Sequence, residues 1–185
     1  KLDSLNAPTI KFNKEFKDKI QKEFPSIDNE FFDLLNETLD DYSLKQNLPG
    51  PTGESNKLHY KPKGTALCLG PKSSDALKQT ILALALGNST ISQITELDSA
   101  SLFKLGFNKD NIYRLVAGPS LNLLASSQYQ VILYFGDAMS VERLLESHCE
   151  QIIPIMSSLY EPWQLLKEQV ITIDTTASGG NANLL

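Results

Sequence analysis

The hydrophobic positions of this chain fall into two rhythms. From residue 11 to residue 47, Phe12, Phe16 and Ile20, then Phe31, Phe32, Leu34, Leu35 and Leu39, recur at helical spacing. The spacing predicts two helices separated by Pro25, with Ser26 to Asn29 supplying capping side chains for the second. This arm, residues 1–47, is acidic and amphipathic, so its apolar stripe needs a surface to lie on, and a surface outside the sequence is one candidate.

"LPGPTGE", residues 48–54, places two prolines and two glycines in seven residues, a cluster through which no helix continues, and the expected domain boundary lies there. "SNKLHYKPKG" then alternates Leu58 and Tyr60 with Lys57, His59 and Lys61, the period of a half-exposed strand that Pro62 confines to an edge or a strand end. From Thr65 onward strand and helix alternate. "TALCLG" precedes a helix in which Leu77, Ile81, Leu84 and Ala85 share a face, Ser74 and Asp75 can cap, and Gly87 can terminate. "STISQI", "IYRLVA", "QVILYFG", "QIIPIM" and "VITIDTT" read as further strands, and "LDSASLFKLG", "SLNLLASS", "MSVERLLESHCE" and "EPWQLLKEQ" as helices between them. The five apolar residues Val131–Phe135 argue for a strand covered on both faces. The predicted fold is α/β, a Rossmann-like parallel sheet with helices on both faces over residues 48–185, preceded by the helical arm.

Composition narrows the function. With 185 residues and 41% hydrophobic positions, the chain can bury a substantial core. Lys plus Arg number 17 against 22 Asp plus Glu, and a net charge of −5 argues against a phosphate-tracking nucleic-acid surface. No apolar run reaches the ~18 residues of a transmembrane segment. Cys68 and Cys149 form no C-x-x-C pattern and suit reduced thiols of a cytoplasmic protein. A first residue of Lys, without a signal-peptide pattern, suggests a piece of a longer polypeptide.

Each candidate for chemistry has an ordinary alternative that outweighs it. The turn "CLGPKSSDAL" could present Lys72 and free N–H groups to a phosphate, but it lacks both Gly-rich fingerprints and reads better as a plain strand-to-helix turn. His148 and Cys149 are sequence neighbours, about 100° apart on a helix, and cannot act as base and nucleophile to one another. Cys68 lies in an apolar run where burial makes a thiol inert. His59 and His148 are too few for a histidine-based metal site, and Asp40 and Asp41 read as a solvated face. Trp163 reads as a residue packing a helix onto the sheet rather than as a stacking platform.

Two Gly-rich stretches carry a family resemblance. "LPGPTGESN" (48–56) and "TTASGGNANLL" (175–185), with "GTALCLGPKSSDALKQTILALALGNSTI" and "YQVILYFGDAMSVERLLE" between them, resemble the extreme C-terminal region of the proline utilisation A family, bifunctional bacterial flavoenzymes that oxidise proline to glutamate. That region resembles in turn the nucleotide-binding half of aldehyde dehydrogenases. By that resemblance Gly87, Asn88 and Glu96 match the helix-to-strand stretch, whereas Gln93 and Ile94 stand where a ribose-binding Lys and a Pro are expected. Asp137 in "YFGDA" takes the place of a neutral hydroxyl beside the expected pyrophosphate. A lost cation and an added anion both oppose NAD binding, so Gly87, Asn88, Glu96 and Asp137 read as vestigial. After Glu150 the chain passes directly to "QIIPIMSS", with no E-x-G-G stretch and no cysteine at a matching position.

The resemblance implies a domain without catalytic, metal or cofactor residues of its own, in a parent enzyme that uses FAD and NAD. Its partner is the aldehyde dehydrogenase module of the same polypeptide, and the parent is cytoplasmic with an option of membrane association. The expected device is a β-flap made of strands near 55–61 and 170–177, with Leu58, Tyr60, Ile171, Ile173, Gly179, Gly180 and Asn181 as its residues. The two glycines let its end bend or approach another backbone. A working NAD-binding domain and a self-association module built on the flap strands are the alternatives.

Overall fold

The first described helix, α1 (Lys14–Glu23), begins where the Asn13 side chain accepts the Phe16 N–H at 2.8 Å, and it ends two residues before Pro25. The structure is a computed structural model and describes residues 13–43, 46–115, 129–137, 139–140, 143, 146 and 152–174. Helix α2 (Asn29–Ser43) starts as expected from the 26–29 stretch, with Asp28 Oδ1 accepting the Phe31 N–H at 2.9 Å.

The apolar stripe of this pair finds its cover within the chain rather than outside it. Phe16, Ile20, Phe31, Phe32, Leu35 and Leu39 are buried in one cluster with Leu77, Ile81 and Leu84. The Phe16 ring meets Phe107 edge-on at 6.0 Å. Polar ties flank these contacts: Lys78 Nζ binds Asp28, and Glu23 accepts from Ser101 Oγ at 2.8 Å and Lys104 Nζ at 3.3 Å.

The breaker cluster after residue 48 forms a turn between β1 (Gln46–Leu48) and β2 (Glu54–Pro62), which pair antiparallel with Leu48 opposite Asn56. Strand β3 (Thr65–Gly70) follows, then α3 (Ser73–Ala85), β4 (Ser89–Ser92), α4 (Glu96–Lys104) and β5 (Ile112–Arg114). Across the undescribed stretch lie β6 (Val131–Tyr134), β7 (Ile155–Met156) and β8 (Leu166–Asp174).

Strands β3 to β7 make a fully parallel sheet in the order β5-β4-β3-β6-β7, the alternating α/β pattern read from the sequence. Ala66, Cys68, Val131 and Leu133 face the helices α1 to α4, whereas Leu67, Leu69, Ile91 and Ile132 form a second cluster with Tyr129 on the opposite face. Helix α3 lies between the sheet and the N-terminal pair, which is why it is buried nearly all round instead of along one stripe. The expected helix at 120–127 and the side chains of Val141, Leu144, Leu145 and His148 lie outside the described residues.

The last expected helix, in "EPWQLLKEQ", is corrected. Only a 3-10 turn forms at Pro162–Leu165, and β8 begins at Leu166. Proline favours the first position of such a turn, but Leu165 and Leu166 are both buried in the core, and from Leu166 the chain pairs with β2. Strand β2 lies between β1 and β8, so it is no edge, while Pro62 does stand at its end.

Asp28 both caps α2 and holds Lys78 on α3. Its hydrogen bonds, first to Lys78 and then to the Phe31 N–H, hold its carboxyl below the usual range. A depressed folded-state pKa stabilises above the unfolded value and is lost as pH falls through the folded one. Asp28→Ala is therefore expected to cost about 1 kcal/mol at neutral pH and to flatten the acid limb of stability below about pH 4, read by urea denaturation from pH 3 to 7. Identical acid limbs in the two proteins would contradict this role.

Candidate functional site

In the order β5-β4-β3-β6-β7 the chain reverses direction of winding between β3 and β6, and ligands of open parallel sheets bind at the carboxyl end of such a point. Here that crevice is bounded by the turn Gly70-Pro71-Lys72 and by Phe135-Gly136-Asp137. Gly70 is required in the first turn: its φ is +95°, and a Cβ would fall 2.8 Å from the Lys72 backbone N and O. The turn is clamped from below by Gln79, a fully buried side chain whose Oε1 accepts the Gly70 N–H at 3.0 Å and whose Nε2 donates to the Gly70 carbonyl at 2.9 Å. Phe135 N–H donates to the same carbonyl at 2.9 Å and ties the two loops together.

Both loops of this crevice carry a carboxylate. The Lys72 N–H, which a phosphate would need, donates to the Asp75 carboxylate at 3.2 Å. Asp137 accepts from the Ser140 N–H at 2.9 Å and the Ser140 hydroxyl at 2.8 Å, and these bonds, backbone first, hold its carboxyl below the usual range. Each loop thus carries a carboxylate that accepts a backbone N–H of its own turn. A Cβ on Gly136 would collide with the Tyr134 ring, so that glycine is covered by the chain itself.

The other candidates do not converge on the crevice. Gly87 has φ +83° and, with the Asn88 N–H donating to the Ala83 carbonyl at 2.9 Å, closes α3. Asn88 is buried, accepts the Gly64 N–H at 3.1 Å and donates to the Ala83 carbonyl at 3.3 Å. Both residues precede β4, at the amino edge of the parallel sheet. Glu96 and Asp137 follow strands and lie at the carboxyl edge, and Glu96 is exposed and 3.7 Å from Arg114 Nη1. The four residues grouped by resemblance are therefore split between opposite edges.

Cys68 is fully buried, and burial pushes its thiol up to about 12, which keeps it protonated and unreactive at neutral pH. Cys149 and His148 lie outside the described residues. Asp40 and Asp41 are exposed on α2. Among the described residues no three His, Cys, Asp or Glu side chains come together to hold a metal, and no helix is long and apolar enough to cross a membrane. Trp163 is 54% exposed on the 3-10 turn, which corrects its expected place in the packing. There Leu165, two positions on, takes the core place instead.

The expected flap strands do pair. Strands β2 and β8 run antiparallel through nine register pairs from Glu54↔Asp174 to Pro62↔Leu166, so β8 covers 166–174 where 170–177 was expected. Leu58 and Tyr60 share one face of this ribbon, and Ile171 and Ile173 the other, because side chains alternate along each strand and paired residues share a side. The Tyr60 ring meets Tyr42 of α2 edge-on at 4.9 Å and roots its face on the body. Gly179, Gly180 and Asn181 lie outside the described residues. The Gln79 clamp was not read from the sequence, although a Gln inside the apolar run "ALKQTILALALG" is the kind of signal that marks a buried polar tie.

Two outcomes follow from this geometry. Gln79→Leu leaves both polar groups of Gly70 without their side-chain partner and is expected to cost about 3 kcal/mol in denaturant unfolding; a loss below ~0.5 kcal/mol would remove the clamp from the account. Calorimetric titration with NAD is expected to give no dissociation constant below about 100 µM, equivalent to about −5.5 kcal/mol. Tighter binding would show that the two carboxylates do not exclude a pyrophosphate.

No protein-family model matches the chain. The bifunctional protein PutA of Salmonella typhimurium is 28% identical over 153 residues, covering 75% of this chain and 11% of that protein. This chain thus spans about a tenth of the length of that relative. Among solved structures, a variant of proline utilization A from Bradyrhizobium japonicum superposes with a TM-score of 0.56 at 22% identity, over 76% of this chain and 17% of that one. PnpE from Pseudomonas sp. WBC-3 gives the same TM-score of 0.56 at 16% identity, over 76% of this chain and 37% of that one. In sequence the chain is similar to a segment of the bifunctional protein PutA, and it shares its α/β fold with the proline utilization A structures.

Proposed function

We propose that this chain is a non-catalytic module of a bifunctional proline-catabolic flavoenzyme. Its β2–β8 ribbon covers the pyrroline-5-carboxylate (glutamate semialdehyde) dehydrogenase module of the same polypeptide. The observation that carries the reading is the ribbon itself, nine paired positions long and continuing β3 backwards past its amino end. Because it leaves the parallel sheet at the amino edge, it points away from the chain's own carboxyl-edge crevice and is available to a neighbour. The inert Cys68 thiol and the two carboxylate-capped loops favour a scaffold over a catalyst. FAD and NAD would be held by other modules of the parent. A cover of this kind would exclude water and retain a semialdehyde intermediate.

A second reading, self-association, is favoured by the place of β8 as the outermost strand of its sheet, where it can accept another chain. Light scattering that finds only monomer at high concentration would leave it without support.

The test of the main reading is deletion of residues from Val170 onward in the full-length polypeptide. Coupled turnover of proline to glutamate is expected to fall while proline oxidation alone is retained. Undiminished coupled flux would overturn the cover.

A further inference from the structure

The Pro- and Gly-rich stretch 48–56 forms the far end of the ribbon, and one side chain gathers it. The Glu54 N–H donates to the Pro51 carbonyl at 3.0 Å and closes a turn whose third residue is Gly53, at φ +93°, a position that calls for glycine. Three strands meet beside this turn: Asn56 of β2 has Leu48 of β1 opposite it on one side and Thr172 of β8 on the other.

The Asn56 amide spans this junction. Its Oδ1 accepts the Thr172 hydroxyl at 2.6 Å, and its Nδ2 donates to the Glu54 carboxylate at 3.2 Å and to the Pro49 carbonyl at 3.5 Å. Gly50 leaves it the room, since a Cβ there would stand 2.6 Å from Asn56 Nδ2. The two glycines thus have separate duties, Gly53 for the bend and Gly50 for the close approach of Asn56. An aspartate could not take over, because it has no N–H to donate and would face the Glu54 carboxylate.

The position of this clip decides what it does. Its bonds are exposed and contribute little to global stability, and the root of the ribbon is already fixed by Leu166 and by Tyr60 on Tyr42. The far end has no such anchor: among the described residues, none of 46–58 or 170–174 belongs to either hydrophobic cluster. A two-stranded ribbon is marginal in water, and β1 adds only three residues. Where so little else holds, one amide shifts the balance between an ordered and a frayed end.

We infer that Asn56 is a positioning residue for the cover: by holding the 49–53 turn and Thr172 to one strand, it keeps the far end of the ribbon in the shape that closes over the neighbouring module. This rests on the covering role proposed above and names the residue that shapes the cover's end.

The experiment uses the full-length polypeptide and compares Asn56→Ala, Thr172→Val, the double variant, Thr172→Ser and the deletion from Val170. With proline as substrate and an aldehyde-reactive amine in the buffer, the fraction of semialdehyde trapped outside the enzyme is read beside the glutamate formed. Asn56→Ala and Thr172→Val are each expected to raise the trapped fraction severalfold. The double variant is expected to go no further than Asn56→Ala, because both changes remove the same bond, and Thr172→Ser, which keeps the hydroxyl, is expected to restore the parent's value. Amide exchange at 54–57 and 171–174 is expected to quicken about fivefold in Asn56→Ala, equivalent to about 1 kcal/mol of local opening, with the thermal midpoint held within ~2 °C. Thr172→Val, at an exposed position, carries the test if Asn56→Ala fails to fold. A lowered midpoint with no rise in trapping would make Asn56 a stability residue alone and overturn the inference. If the deletion raises trapping and neither single variant does, the cover stands and the positioning role is wrong. If the deletion leaves trapping at the parent's level, both fall.

Discussion

The register between β2 and β8 is the constraint on which the functional reading depends. Side chains in a strand repeat every two residues, so a slip of one position would move Tyr60, Pro62 and Leu166 off the body and turn the lysines inward. The register is held at the root. Leu166 is buried in the main cluster, the Lys63 N–H donates to the Leu165 carbonyl at 2.9 Å, and Pro62 packs beside Gly87. Farther out the ladder has less to fix it: Thr172 Oγ1 donates to Asn56 Oδ1 at 2.6 Å, and Val170 and Ile173 are half exposed. A ribbon anchored at one end and lightly tied at the other is suited to settle on a second surface.

Much of the fold was legible in the sequence because its strands are short apolar runs between helical periods. Val131–Phe135 and "TALCLG" read as buried strands, and they form β6 and the central strand β3, side by side in the sheet. The pairing of β2 with β8 was legible for the same reason, as two runs with strand character and no place in the parallel sheet. Strand β1 was not, since "QNL" carries no strand signal and forms only where β2 offers it an edge. The final helix was misread because "EPWQLLKEQ" has helical propensity throughout. Tertiary pairing overrides that propensity once Leu165 and Leu166 are both drawn into the core.

The candidate site was less legible, and the reason is that motif positions give neighbours in sequence but not edges of a sheet. Gly87-Asn88 and Glu96 are separated by one strand, and in a parallel sheet one strand is the full distance from the amino to the carboxyl edge. Asn88 is conspicuous in the sequence for the same reason that it is buried in the fold: its amide satisfies the Gly64 N–H and the Ala83 carbonyl, a structural duty that requires no ligand. Asp137 accepts from the Ser140 N–H and hydroxyl in the turn after β6. Asp75, read from the sequence as a possible helix cap, does accept the Lys72 N–H at the start of α3.

The two edges of the sheet also decide how the ribbon and the crevice relate. Strand β2 leads into β3 through two residues, so the ribbon leaves the sheet at the end from which the parallel strands start. The switch-point crevice opens at the end where they finish. A ribbon rooted beside Gly64 and Asn88 cannot fold over Gly70 and Asp137 without tearing Leu166 from the core. A change in the crevice at Gly70 and Asp137 therefore need not disturb the ribbon, whose root lies at the other edge. That separation lets the parallel sheet serve as a rigid base for the strand pair whatever its crevice holds.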